Sequence, residues 1–144
     1  MKKPLIVLDD VSPSFSSLVG DGLAAFNART KGPANHQDLA IAIGEADDRV
    51  GGLMGSTGWG WLFVKWLWVA EHVRGQGYAS DLLARAEQIA ISRGCIAAWI
   101  DTFNPDARRL YERLGFVVFG ELADFPAGHT RYFLQKRFDM GSDS

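Results

Sequence analysis

The apolar positions of this chain change period several times, and each change marks an element. Lys3 to Leu8 is a short apolar run that reads as a first strand. Asp10-Val11-Ser12-Pro13 supplies turn and capping residues. From Phe15, the residues Leu18, Val19, Leu23 and Phe26 recur near helical period, which predicts a helix to about Ala28. After a loop from Thr30 to Asn35, Leu39, Ile41 and Ile43 alternate with smaller residues, and Glu45 to Arg49 make a polar turn. Val50 to Thr57 resumes as a strand weakened by its glycines. Gly58-Trp59-Gly60 then turns into the strongest strand signal in the chain, Trp61 to Ala70. Its even positions (Leu62, Val64, Trp66, Trp68) and its odd positions (Phe63, Lys65, Leu67, Val69) are both largely apolar, as in a central strand covered on two sides. Lys65 is the exception, expected to snorkel or to pair with an acid such as Asp101.

Beyond this strand, Leu82, Leu83, Ala86, Ile89 and Ala90 recur at helical spacing, predicting a helix to about Arg93 that ends at Gly94. Ile96 to Asp101 follows as a strand, parallel to Trp61–Ala70 because a helix crosses over between them. Asn104-Pro105 opens another helix, with Asn104 as N-cap and Pro105 at the first helical position, and Leu114-Gly115-Phe116 closes it. Val117 to Leu122 and Thr130 to Phe138 are two further strands joined by the loop from Asp124 to Gly128, and 141–144 read as a frayed tail. The order β-α-β-β-β-α-β-α-β-β predicts an α/β (α+β) fold with a mixed central sheet, in one domain spanning 1–140. The parallel pair is where strands can splay and leave a crevice.

Candidate chemistry sits at the junction Val73-Arg74-Gly75-Gln76-Gly77-Tyr78-Ala79-Ser80, where the strongest strand ends and a long helix begins. Two glycines there let backbone N–H groups approach an anion, and the helix N-terminus adds about half a positive charge. From spacing alone, the plainer reading of the same glycines is a tight strand-to-helix turn needing positive φ. The segment is neither a Walker phosphate loop, which needs Gly-Lys-Ser/Thr, nor a dinucleotide fingerprint, since Ser80 stands where the third glycine belongs.

Composition narrows the classes further. With 144 residues, 47% apolar and 22% charged, the chain is an ordinary globular domain. No apolar run reaches the ~18 residues of a membrane span, and Asp9-Asp10 interrupt the N-terminal apolar run before it reaches the length of an export signal. The cytoplasm is therefore the expected compartment, and a single cysteine, Cys95, agrees with a reducing one. A net charge of −2 gives no field for nucleic acid, and His36, His72 and His129 are too scattered to hold a metal, so no metal is expected.

Two segments together carry a family resemblance. Arg74, Gly77 and Ala79 form Arg-x-x-Gly-x-Ala after Leu67-Trp68-Val69, and Asn104 to Phe116 follows as Asn-Pro-Asp-Ala-Arg-Arg-Leu-Tyr-Glu-Arg-Leu-Gly-Phe. In this order they resemble the GCN5-related N-acetyltransferases, the GNAT family, from about Leu62 to the end of the chain. The resemblance implies an acetyl-CoA-dependent N-acetyltransferase acting on a primary amine, with a non-catalytic CoA-binding domain of the same fold as the rival. It implies that backbone N–H groups of Arg74, Gly75, Gln76, Gly77, Tyr78, Ala79 and Ser80 bind the CoA pyrophosphate, and that Leu67, Trp68 and Val69 offer backbone to pantetheine. Asn104 would contact the cofactor, although it serves equally as a plain N-cap. Tyr111 would protonate the departing thiolate; its other reading is an aromatic on the inner helix face. For the general base, Glu71, His72, Asp101, Glu121 and His129 all stand open. Trp66, Asp101, Phe125 and His129 are candidates for the acceptor site. A small-molecule amine is favoured over a protein as acceptor, with no nucleic-acid or membrane partner, and a homodimer is a family-level expectation.

Overall fold

The computed structural model describes residues 1–139, and the tail expected over 141–144 lies outside them. The chain divides into two compact units, Met1–Ala34 and Asn35 onward. The first unit holds one helix, α1 (Pro13–Lys31). The Phe15 N–H donates to Ser12 Oγ at 3.1 Å, Pro13 occupies the first turn, and Gly32 closes the helix with φ 82°, its N–H donating to the Ala28 carbonyl at 3.0 Å. The expected strand at Lys3–Leu8 is not formed. Strand is a relational state, needing a neighbouring edge to take its N–H and C=O groups, and an apolar hexapeptide does not name that neighbour.

The second unit is a six-stranded mixed sheet with two helices. Its elements are β1 (Gln37–Ile43), β2 (Gly51–Gly58), β3 (Trp61–Val69), α2 (Tyr78–Ser92), β4 (Ala97–Thr102), α3 (Pro105–Arg113), β5 (Val117–Ala123) and β6 (Thr130–Arg137). Spatial order is β1-β2-β3-β4-β6-β5. All neighbours are antiparallel except β3 and β4, the pair joined by the α2 crossover. The mixed α/β architecture is the one the sequence predicts, with six strands in place of seven.

One irregularity organises the sheet. Gly55 pairs with Val64 and Met54 with Trp66, so Lys65 stands opposite no residue of β2: it is the extra residue of a β-bulge. The bulge resets the alternation. Leu62 and Val64 are buried before it, Val69 is buried after it, and Trp66 and Trp68 are exposed. The expected even face is thereby corrected: Leu62 and Val64 belong with Leu67 and Val69, and the tryptophans face the other way. The ammonium of Lys65 lies 4.4 Å from the centre of the Trp66 ring, and Asp101 pairs with Arg131 instead. Gly55 permits this close approach, since a Cβ there would run into the carbonyl oxygen of Phe63.

On one face, Leu39, Leu53, Leu62, Val64, Ile100 and Leu134 pack with Leu82, Leu83, Ala86 and Ala90 of α2, Tyr111 of α3, and Phe116. On the other face the sheet is aromatic, with Phe63 stacked on Trp99 at 4.2 Å and Phe119 set against Phe133. The parallel pairing of β3 with β4 runs only from Trp61↔Ala97 to Val64↔Ile100 and stops one residue short of the bulge. From Lys65 onward the two strands part. Among the described residues, no helix is long and apolar enough to cross a membrane.

Candidate functional site

The parting of β3 and β4 opens a cleft of about 1020 Å³. Val64–Val69 form one wall, Ile100–Thr102 the other, and the glycine turn and the first turns of α2 and α3 close its ends. No cluster of three or more metal-ligating side chains is present among the described residues.

The glycine turn follows a single 3-10 turn, Glu71–Val73. The Arg74 N–H donates to the Glu71 carbonyl at 3.2 Å, and its guanidinium Nε donates to the Val69 carbonyl at 2.9 Å. Arg74 thus fastens the turn to the end of β3, and the open N–H groups begin at Gly75. Gly75 and Gly77 have φ of 85° and 83°, which glycine adopts without strain. Gly77 is the N-cap of α2 and brings no side chain to cap the first turn. The N–H groups of Gly75, Gln76 and Gly77 donate to no carbonyl among the described residues, and those of Tyr78, Ala79 and Ser80 lie in the uncapped first turn, where a helix leaves its donors unpaired. A Cβ at Gly75 or Gly77 would meet nothing, so the cradle is open space. These residues suit an anion with several oxygens.

One edge of the second half of β3 is taken by β2, where Leu67 pairs with Leu53, Trp68 with Gly52 and Val69 with Gly51. The Val69 carbonyl points to the other edge, because it accepts from Arg74. Backbone direction alternates along a strand, so the N–H and C=O of Leu67 share that edge with Val69. An amide-bearing arm laid in the cleft would find donors and acceptors there, as an added strand does.

Asn104 caps α3, its Oδ1 accepting from the N–H groups of Asp106 (2.8 Å) and Ala107 (3.4 Å), while Thr102 Oγ1 accepts from the Asn104 N–H. Capping uses the oxygen only and leaves the Nδ2 amide to the cleft that Asn104 lines. Tyr111, two helical turns further along α3, is 6% exposed and packs on Phe116. Its hydroxyl has no hydrogen-bond partner among the described residues. Burial, and then the negative charge of Asp101, push its pKa up to about 12, so the phenol stays protonated across the neutral range.

Asp101 occupies the first β4 position beyond the last parallel pair. Its Oδ1 accepts from Arg131 Nη1 at 2.8 Å, and both side chains are 22% exposed. The Arg131 guanidinium lies 4.1 Å from the centre of the Phe125 ring and 5.0 Å from that of Phe103. The loop between β5 and β6 brings Phe125 there, folded on itself by Phe125 N–H to His129 O (3.1 Å) and His129 N–H to Pro126 O (2.9 Å). His129 lies against Phe103. Of the acceptor-site candidates, Asp101 and Trp66 line the cleft, as does Trp68, both tryptophans being exposed; Phe125 and His129 do not line it but lie against Arg131 and Phe103, which do. Glu71, His72 and Glu121 do not line it. Arg131 and Phe103 were not singled out from the sequence. Their signal is tertiary: Asp101 pairs with Phe133, which makes Arg131 its diagonal neighbour on the same face, a relation that requires the β4–β6 register.

The family model described as Acetyltransferase (GNAT) family matches residues 11–116. An acetyltransferase of Agrobacterium fabrum is 46% identical over 134 residues, covering 92% of this chain and 98% of that protein. Blasticidin-S acetyltransferase of Streptomyces morookaense is 40% identical over 96 residues, 66% of this chain and 71% of the relative. A crystal structure from Agrobacterium tumefaciens, of a protein classed with the acetyltransferases, matches with a TM-score of 0.88 at 42% identity, covering 94% of this chain and 100% of that one.

Proposed function

The chain belongs to the GNAT family of acetyltransferases, and from that premise we propose that it transfers an acetyl group from acetyl-CoA to a primary amine of a small molecule. The observation that carries the proposal is the convergence, in one cleft, of unpaired N–H groups, a free strand edge and a buried, protonated phenol. Bound acetyl-CoA would supply an acetyl group activated as a thioester. The N–H groups from Gly75 to Ser80 would hold its pyrophosphate, aided by the α2 N-terminus. Leu67 and Val69 would take the amides of its pantetheine arm as strand partners, and an N–H of that edge would stabilise charge on the thioester oxygen. The Asn104 amide would face the same arm. Tyr111 then gives its proton to the sulfur as it leaves. A phenol near 12 is a weak acid, but the dry surroundings that raise it also raise the thiol it protonates. A small-molecule acceptor is supported by the name of the blasticidin-S relative and by the aromatic, solvent-open end of the cleft.

The test is purified protein with acetyl-CoA and an amine panel that includes blasticidin S, an aminoglycoside, spermidine and a lysine-bearing peptide, following free thiol. Turnover is expected with at least one small amine. Calorimetric binding of acetyl-CoA with no thiol release for any amine would replace this reading with a CoA-binding domain that does no chemistry.

A further inference from the structure

The acceptor nitrogen needs a group that removes its protons, and of the two carboxylates lining the cleft Asp106 is paired with Arg109 on its own helix, while Asp101 acts on Tyr111. Asp101 lines the cleft, lies just past the point where β3 and β4 part, and is near enough for its charge to act on the Tyr111 phenol. Only Oδ1 is engaged, by Arg131; Oδ2 has no partner among the described residues. Arg131 is fixed by more than this one bond, because its guanidinium lies against the rings of Phe103 and Phe125, and Arg is the residue suited to such stacking. Alternation along β4 puts Asp101 on the aromatic face with Trp99, whereas Tyr111 packs on the helix-covered face. Where the strands part, groups from the two faces meet.

We propose that Asp101 draws in the acceptor as its ammonium ion and receives the protons its nitrogen gives up, and that Arg131, held between Phe103 and Phe125, is the positioning residue that aims this carboxylate. The proposal rests on the acetyl-transfer reading and names the acceptor class, a cationic amine. The nitrogen loses two protons. The first passes from the ammonium through Asp101 to solvent, freeing the lone pair. That pair forms the C–N bond, the C–S bond breaks with its electrons going to sulfur, and sulfur takes the Tyr111 proton. The second nitrogen proton goes to Asp101 and returns through solvent to the Tyr111 phenolate. Besides Arg131 and Tyr111, the titratable and charged groups lining the cleft are Lys65, over Trp66; Asp106, paired with Arg109; Arg113; and Arg74 and Tyr78 at the glycine turn, while His129 lies against Phe103.

The experiment compares wild type, Asp101→Asn, Arg131→Met and Arg131→Lys at saturating acetyl-CoA, using whichever of blasticidin S, spermidine or benzylamine turns over fastest. Asp101→Asn is expected to lower kcat/KM for the amine about 100-fold at pH 7. The deficit should narrow as pH rises, because hydroxide takes over the proton removal. Calorimetric affinity for acetyl-CoA should stay within about twofold, which also shows that the variant is folded. Arg131→Met is expected to lower kcat about tenfold, with Arg131→Lys recovering part of it. Wild type active with Asp101→Asn unchanged, or with a deficit that does not vary with pH, overturns the role of Asp101 alone. Arg131→Met at wild-type kcat overturns the positioning role. A wild type that releases no thiol removes the acetyl-transfer reading, and this proposal with it.

Discussion

Tyr111→Phe separates the chemistry of the cleft from its packing. The Tyr111 ring is buried against Phe116, while its hydroxyl has no hydrogen-bond partner among the described residues. Removing the oxygen therefore breaks no internal bond, and stability at pH 7 should change by no more than about 0.5 kcal/mol. The pH dependence of stability should change more. An unfolded tyrosine titrates near 10 and the folded one at about 12. Below pH 10 both states are protonated and the wild-type contribution is whole. Between 10 and 12 the unfolded chain ionises first, so wild type loses on the order of 3 kcal/mol of stability, and this slope is absent in the phenylalanine variant. The catalytic effect is independent of that slope. Loss of a positioned acid should lower kcat by about 100-fold or more, with calorimetric acetyl-CoA affinity nearly unchanged. Thiol release at pH 7 and urea melts from pH 7 to 12 measure both. A variant that keeps kcat within threefold of wild type refutes the acid role, whatever the melts show.

Three further outcomes follow from the same geometry. Gly77→Ala forces a Cβ onto φ 83° and should destabilise the protein by about 1 kcal/mol, while calorimetric affinity for acetyl-CoA drops at least tenfold because the methyl intrudes on the cradle. Gly55→Ala pushes its methyl into the Phe63 carbonyl, so a loss of about 2–3 kcal/mol is expected in denaturant melts, and a wild-type midpoint would contradict the close approach at the bulge. Cys95 is 2% exposed and burial raises its pKa, so native protein should react with a thiol reagent at its global unfolding rate and leave the thiol-release assay undisturbed.

The parts that could be read in the chain are those whose signals are local. Asn104-Pro105 announces a helix start through capping chemistry, Gly75 and Gly77 announce a positive-φ junction, and Tyr111 falls on the inner face of its helix by period alone. The β-α-β step from β3 to β4 follows from the handedness of crossovers. What could not be read depends on register. Lys65 looks like a misplaced charge until its missing partner on β2 identifies a bulge, and from that point each side chain of β3 changes face relative to the simple count. Arg131 is one cation among fifteen Lys and Arg until the pairing of Asp101 with Phe133 sets it beside the carboxylate. Lys3–Leu8 failed for the related reason that apolarity proposes a strand but only a partner makes one.

The bulge carries a further consequence. Strike Lys65 from β3 and the remaining residues alternate without a break: Leu62, Val64, Leu67 and Val69 inward, Phe63, Trp66 and Trp68 outward. The shorter strand would keep the same inward and outward sets. The extra residue falls where the pairing with β4 ends, so in this chain the opening between the strands coincides with a change in the length of β3 and not in its composition.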